Sequence, residues 1–216
     1  MFARIFSAFA AVAAVAWGSA LAATVTVDVT DTSGMPAPNA VVSLAPESTT
    51  AMPAHAPQRS IIDQRHETFL PLVVAVRRGG EVVFTNNDVT RHQVYSFSPI
   101  KQFQFVIDQG HVSQPVIFDK SGVAAIGCNI HDSMVAFVYV ADAPFAVVTD
   151  AKGHAAIPDV PDGAYRAQIW HPQMRAAGQM QAHAVTIAGN EAKLSFAVPL
   201  AAGGMPGMSH MHKSDY

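Results

Sequence analysis

The sequence predicts an all-β chain whose short strands form an antiparallel sandwich or barrel, with helices short or absent. Three observations predict it. Residues 24 to 30, TVTVDVT, alternate strictly and put Val25, Val27 and Val29 on one face. From Ile61 onward, apolar runs of strand length recur between Gly, Pro, Asn and Asp punctuation, and a second such series starts near Pro144. Sustained helical periodicity is found in neither series.

Composition narrows the class. The chain has 216 residues, 50% of them hydrophobic, enough to bury one core or two small ones. Only 13% are charged and the formal net charge is -3, which excludes the basic footprint of a nucleic-acid binder or a polybasic membrane anchor. Residues 1 to 23, MFARIFSAFAAVAAVAWGSALAA, carry an early Arg4, an apolar run from Ile5 to Trp17 and the small-residue pattern Ala20-Leu21-Ala22. They read as a secretory signal peptide cut near Ala22 or Ala23. No later stretch is long and apolar enough to span a membrane. The mature chain is therefore expected to be exported, most simply to a bacterial periplasm.

The strands follow in order. Residues 24 to 60 open with TVTVDVT, turn through DTSGMPAPNA, resume as AVVSLAP and end in a polar, Pro- and Ala-rich linker. Residues 61 to 142 hold LPLVVAV, a Gly79-Gly80 turn, EVVFTNND, RHQVYSF, QFQFVID, QPVIFD, GVAAIG and MVAFVYVAD. Residues 143 to 200 form a second β unit: AVVTD and HAAI flank a turn at Asp150 to Gly153, YRAQIW sets Tyr165, Ala167 and Ile169 on one face, and AVTIA and KLSFAV close the series. Residues 201 to 216 are a Gly-, Met- and His-rich tail expected to be flexible.

GCNIHDSM, residues 127 to 134, carries the chain's single cysteine. In an oxidising compartment a lone cysteine is buried and inert, paired between molecules, or bound to a metal. Cys128, His131 and Met134 stand three residues apart, a thiolate, an imidazole and a thioether from one loop. A mononuclear copper site of the blue type takes two imidazoles and a thiolate in a plane with a weak axial thioether, a set that serves both Cu(I) and Cu(II) with little rearrangement. Its remaining imidazole has to come from a distant strand. His92 in FTNNDVTRHQV is the best candidate, standing where an Asn/Asp turn gives way to a new strand.

These residues carry a specific resemblance. F-x-N-N, four residues and H-x-V, then F-D-x-x-G-V ahead of C-x-x-H and a methionine, resemble the cupredoxin pattern of plastocyanins and pseudoazurins over residues 61 to 142. The runs FTNND, RHQVYSFS and GCNIHDSM, with VADAPF after them, are more similar still to the cupredoxin-like methylamine-utilisation proteins. That resemblance implies a Greek-key cupredoxin sandwich, one type 1 copper, His92 and His131 as imidazole ligands, Cys128 as thiolate and Met134 as axial ligand. It also implies supporting hydrogen bonds from Asn86 and Asn87 that tie the two ligand loops together. Asp132 and Ser133 make the interval between histidine and methionine shorter than in plastocyanin-like loops. The interval resembles that of the binuclear purple copper site, which needs a second cysteine. A single copper with an altered axial bond is the expectation. Multicopper oxidases need paired H-x-H motifs and a histidine beside the cysteine, whereas Gly127 and Asn129 flank Cys128.

Other residues carry weaker signals. Zinc is the rival metal and favours more thiolate or carboxylate ligands. His66, His111, His154, His171 and His183 read as surface or hydrogen-bonded side chains, and Trp170-His171-Pro172 as packing plus a turn. Met205, Met208, His210, Met211 and His212 in the tail could capture copper weakly, or could be chance composition. The unit over 143 to 200 resembles the carboxypeptidase regulatory-like, prealbumin-type β-sandwich, and the opening strands resemble the start of such a module. The chain can thus begin in one sheet and complete it after the central domain. That resemblance implies a structural or docking role, with carbohydrate binding an analogy only.

The expected function is a periplasmic carrier of single electrons that meets a transient redox partner protein through an apolar patch including Met134 and Phe137. It is not expected to be an enzyme. Copper trafficking or storage, and a metal-free β-sandwich scaffold, are the alternatives.

Overall fold

The computed structural model describes residues 22–48, 58–174 and 180–201. The expected signal peptide, apart from Ala22 and Ala23, and the tail beyond Ala201 lie outside the described residues. So does the greater part of the expected linker.

The described residues form strands and no helix. In chain order these are β1 (Ala22–Asp31), β2 (Val41–Pro46), β3 (Arg59–Arg65), β4 (Thr68–Leu70), β5 (Val73–Arg77), β6 (Gly80–Asn86), β7 (His92–Ser98) and β8 (Lys101–Ile107). They continue as β9 (Val116–Phe118), β10 (Gly122–Cys128), β11 (Val135–Ala141), β12 (Phe145–Val148), β13 (His154–Pro161), β14 (Gly163–Trp170), β15 (Gln181–Ile187) and β16 (Glu191–Val198).

Two sandwiches result. In one, the sheet β13-β1-β16 packs on the sheet β12-β2-β14-β15. Its core holds Val25, Val27 and Val29 of β1 with Leu44, Ile157, Tyr165, Ile169 and Phe196, as the alternation of residues 24 to 30 requires. In the other, β4-β3-β6-β9 packs on β5-β11-β10-β7-β8 around Ile62, Phe69, Phe84, Val94, Phe118, Ile126 and Val138. The first sandwich is thus built from both ends of the chain, and the second occupies the stretch between β2 and β12. β1 and β2 pair with C-terminal strands, a placement that strand periodicity alone leaves open.

Only the sheet β12-β2-β14-β15 is purely antiparallel, and each of the other three contains one parallel pair. β1 runs parallel to β16, β3 to β6, and β11 to β5. Parallel neighbours need crossover connections between distant segments, which short-range turn signals do not reveal.

A third cluster joins the sandwiches. Val41, Val73, Ala75, Tyr139, Ala141 and Trp170 are buried together, with Phe137 packed against them. The Trp170 ring meets Phe137 edge-on at 5.7 Å and Tyr139 at 5.9 Å, while the hydroxyls of Ser43 and Tyr139 lie 3.3 Å apart. Phe137 therefore faces the neighbouring sandwich, and Met134 is only 3% exposed. Neither presents the exposed docking patch expected of them: Phe137 on β11 is half-buried against the second module, and Met134, in the turn before β11, is enclosed in the core of its own sandwich.

Candidate metal centre

Antiparallel pairing brings the start of one strand beside the end of its neighbour. β7 starts at His92 and β10 ends at Cys128, and the two strands pair with Cys128 opposite Val94 and Gly127 opposite Tyr95. His92 and Val94 are two residues apart and face the same way, so imidazole and thiol both point into the core. His92 is 0% and Cys128 2% exposed. The register is tight, because a Cβ on Gly127 would lie 2.5 Å from the Tyr95 ring.

Short polar side chains shape the loops. Asn86, at the end of β6, accepts the Asp88 amide at 2.9 Å and donates to the carbonyls of Thr90 at 2.8 Å and Ile107 at 3.0 Å. One buried side chain thus folds the turn that delivers His92. Asn87 donates to Asp63 on β3 at 2.8 Å. These asparagines brace the His92 loop against other strands instead of tying it to the cysteine loop. That tie is made by Asn129, whose amide donates to the Gln93 carbonyl at 2.9 Å and whose side chain donates to Gln93 Oε1 at 3.1 Å. Beyond it the Met134 amide donates to the His131 carbonyl at 3.0 Å, closing a tight turn before β11.

The sulfur of Cys128 lies 3.6 Å from Nδ1 of His92 and 4.0 Å from Nδ1 of His131. One ligating atom from each of the three residues falls within 4.8 Å of the other two. Metal bonds of about 2.1 Å to nitrogen and about 2.3 Å to sulfur, opened to about 120°, separate N and S by about 3.8 Å. The observed spacings straddle that value, so these side chains fit a single ion. Met134 is buried in the apolar cluster that also holds Cys128. Among the described residues, no other histidine joins a metal-holding group. His171, 1% exposed, donates from Nε2 to the Pro38 carbonyl at 2.9 Å and accepts the Gln173 amide at Nδ1, a structural pairing.

Two carboxylates stand behind the imidazoles, and sequence reasoning missed both. Nε2 of His92 donates to Oδ2 of Asp88 at 3.1 Å, with both side chains buried. Nε2 of His131 lies 3.4 Å from Oε1 of Glu67. The Glu67 amide also donates to Asp88 Oδ2 at 2.7 Å, and the Val89 amide donates to Oδ1 at 2.8 Å. Burial by itself would raise the Asp88 carboxyl, but the Glu67 and Val89 amides and the His92 ring outweigh it and hold the group below the usual carboxylate range. Asp88 could have been suspected from its place four residues before His92. Glu67 sits on the β3–β4 turn of the opposite sheet, and no local pattern links it to His131.

No family model and no curated protein matches the chain. Among solved structures it is similar to a novel purple cupredoxin from Nitrosopumilus maritimus, at 22% identity over 38% of this chain and 99% of that one, with a TM-score of 0.35. It is similar to a Cu-containing nitrite reductase from Thermus scotoductus SA-01, at 24% identity over 45% of this chain and 25% of that one, with a TM-score of 0.36. It is also similar to amicyanin from Paracoccus versutus, at 19% identity over 46% of this chain and 98% of that one, with a TM-score of 0.35.

Proposed function

We propose that the protein is an exported, periplasmic electron carrier that holds one type 1 copper on His92, Cys128 and His131, with Met134 as the axial ligand. The observation that carries this reading is the approach of two imidazole Nδ1 atoms to one buried sulfur, at 3.6 and 4.0 Å. Two imidazoles, a single thiolate and a thioether in an apolar setting suit copper better than zinc, which favours additional hard or anionic donors in a closed tetrahedron. Bound copper would supply one-electron chemistry. The chain's own part is to fix His92 and Cys128 on paired strands, and His131 and Met134 on the tight turn that follows, so that neither oxidation state demands movement of the backbone.

Burial favours a carrier over a trafficking protein. His92 and Cys128 are enclosed, and the His131 side chain is 19% exposed, so one imidazole edge is open to solvent. A metal meant to exchange freely would need a more open set of donors. Val89 and Ile130, 81% and 48% exposed, sit on the loops that carry His92 and His131. They offer the apolar contact for a transient redox partner in place of Met134 and Phe137.

Copper titration of the mature chain, followed by visible and electron-spin spectra, tests the reading. One equivalent should give an intense thiolate-to-copper absorption that is lost in Cys128→Ser. Protein that stays colourless and copper-free after incubation with Cu(II) would leave the scaffold alternative.

A further inference from the structure

The two carboxylates behind the imidazoles belong to one hydrogen-bonded unit. β3 and β4 are joined by the two-residue turn His66-Glu67, with Arg65 opposite Thr68. Both turn residues have positive φ, 48° and 56°, the left-handed pair that a two-residue hairpin needs. Gly and Asn take that conformation most readily, whereas Glu holds it only against strain. The turn nonetheless carries Glu67, whose amide donates to Asp88 and whose carboxylate faces His131. Strain is thus held where one residue faces His131 directly and reaches His92 through Asp88.

We infer that Asp88 and Glu67 form a carboxylate bracket: positioning residues that fix both rings with Nδ1 toward Cys128 and favour the more highly charged state of the bound metal. The inference rests on the copper reading above. Asp88 as acceptor requires the proton of His92 to be on Nε2, which leaves the Nδ1 lone pair facing the sulfur. A carboxylate so placed also raises the basicity of the imidazole and adds negative charge near the ion, which stabilises Cu(II) more than Cu(I). Magnitudes separate the two members. The Asp88–His92 pair is buried at 0% and 4% side-chain exposure, where charge acts with little screening. The Glu67 side chain is 57% exposed and its pair is longer, so water and salt weaken it.

Asp88→Asn keeps one acceptor oxygen for the His92 ring and the Glu67 amide, removes the charge and gives up the bond from the Val89 amide. It should lower the preference for Cu(II) over Cu(I) about tenfold, read as a rise of about 59 mV in reduction potential. Glu67→Gln should shift the potential measurably in the same direction, by about a third of that, and its exposed position keeps the test open if Asp88→Asn fails to fold. In the metal-free protein, nitrogen NMR should find His92 with its proton on Nε2, and Asp88→Ala should mix the tautomers. A His92 proton on Nδ1 in the wild type, or a shift in Asp88→Asn or Glu67→Gln that is absent or negative, overturns the bracket. Wild-type protein that takes up no copper instead sinks the parent reading, and the tautomer measurement still reports on Asp88.

Discussion

The ring of Tyr95 fills the space that a side chain at Gly127 would need, with Cζ 2.5 Å from the position of a Cβ built there. The two residues are register partners, and Cys128 follows directly. Gly127→Ala should therefore destabilise the protein by about 1 kcal/mol, because the half-buried Tyr95 ring must swing off its preferred rotamer. Tyr95→Ser should relieve part of that cost in the double variant, a non-additive pair readable by denaturant unfolding. Copper spectra of Gly127→Ala should shift as well, because the displaced strand carries the thiolate. Additive stabilities and an unchanged spectrum would show that the contact is relaxed at no expense.

Met134 is enclosed in the core cluster beside Cys128, so leucine can replace it with little loss of packing. Met134→Leu should cost under about 1.5 kcal/mol of stability. It should keep the thiolate-to-copper band, since the imidazoles and sulfur remain, and raise the reduction potential because the thioether no longer donates to Cu(II). A variant with wild-type potential would remove Met134 from the ligand set.

The strained β3–β4 turn gives a stability prediction of opposite sign. His66→Asn with Glu67→Gly supplies the residues that tolerate positive φ and keeps the backbone amide that Asp88 accepts. Unfolding should become harder by about 1 kcal/mol. The potential should move only as far as in Glu67→Gln. A loss of stability would mean that the His66 and Glu67 side chains support the turn more than their backbone strains it.

His171 supplies a pH test. Its ring is buried, which pushes its pKa below the usual histidine value, with the Pro38 carbonyl opposing in part. The unfolded ring titrates at about 6.5, so this contribution to stability is complete above that pH and is lost as pH falls through the lower folded value. Thermal midpoints should drop on the acid side of about pH 6.5, and His171→Asn should flatten that limb while lowering stability at neutral pH. A limb of unchanged slope would assign the acid sensitivity to other groups.

The local parts of the molecule were readable because their causes are local. Alternation over residues 24 to 30 follows from the two-residue pleat, and the spacing in GCNIHDSM keeps a thiol, an imidazole and a thioether together whatever surrounds them. His92 was legible from its turn and strand context. That the opening strands are completed by C-terminal ones was suggested only by a resemblance, because periodicity names a strand's face and never its partner. Phe137 was misplaced for a related reason, since alternation along β11 does not say which side a second sandwich covers, whereas Met134, just before β11, is enclosed in the core of its own sandwich.

By itself, then, the sequence determined that the chain is made of strands and turns and which loop gathers its thiol, imidazole and thioether. Tertiary structure decided which strands are neighbours, and so that His92 stands 3.6 Å from Cys128 and that Glu67 reaches His131 from the opposite sheet. The physical reason is that strand pairing and sheet packing are made by hydrogen bonds and burial between distant segments, and no residue-by-residue pattern encodes its own partner.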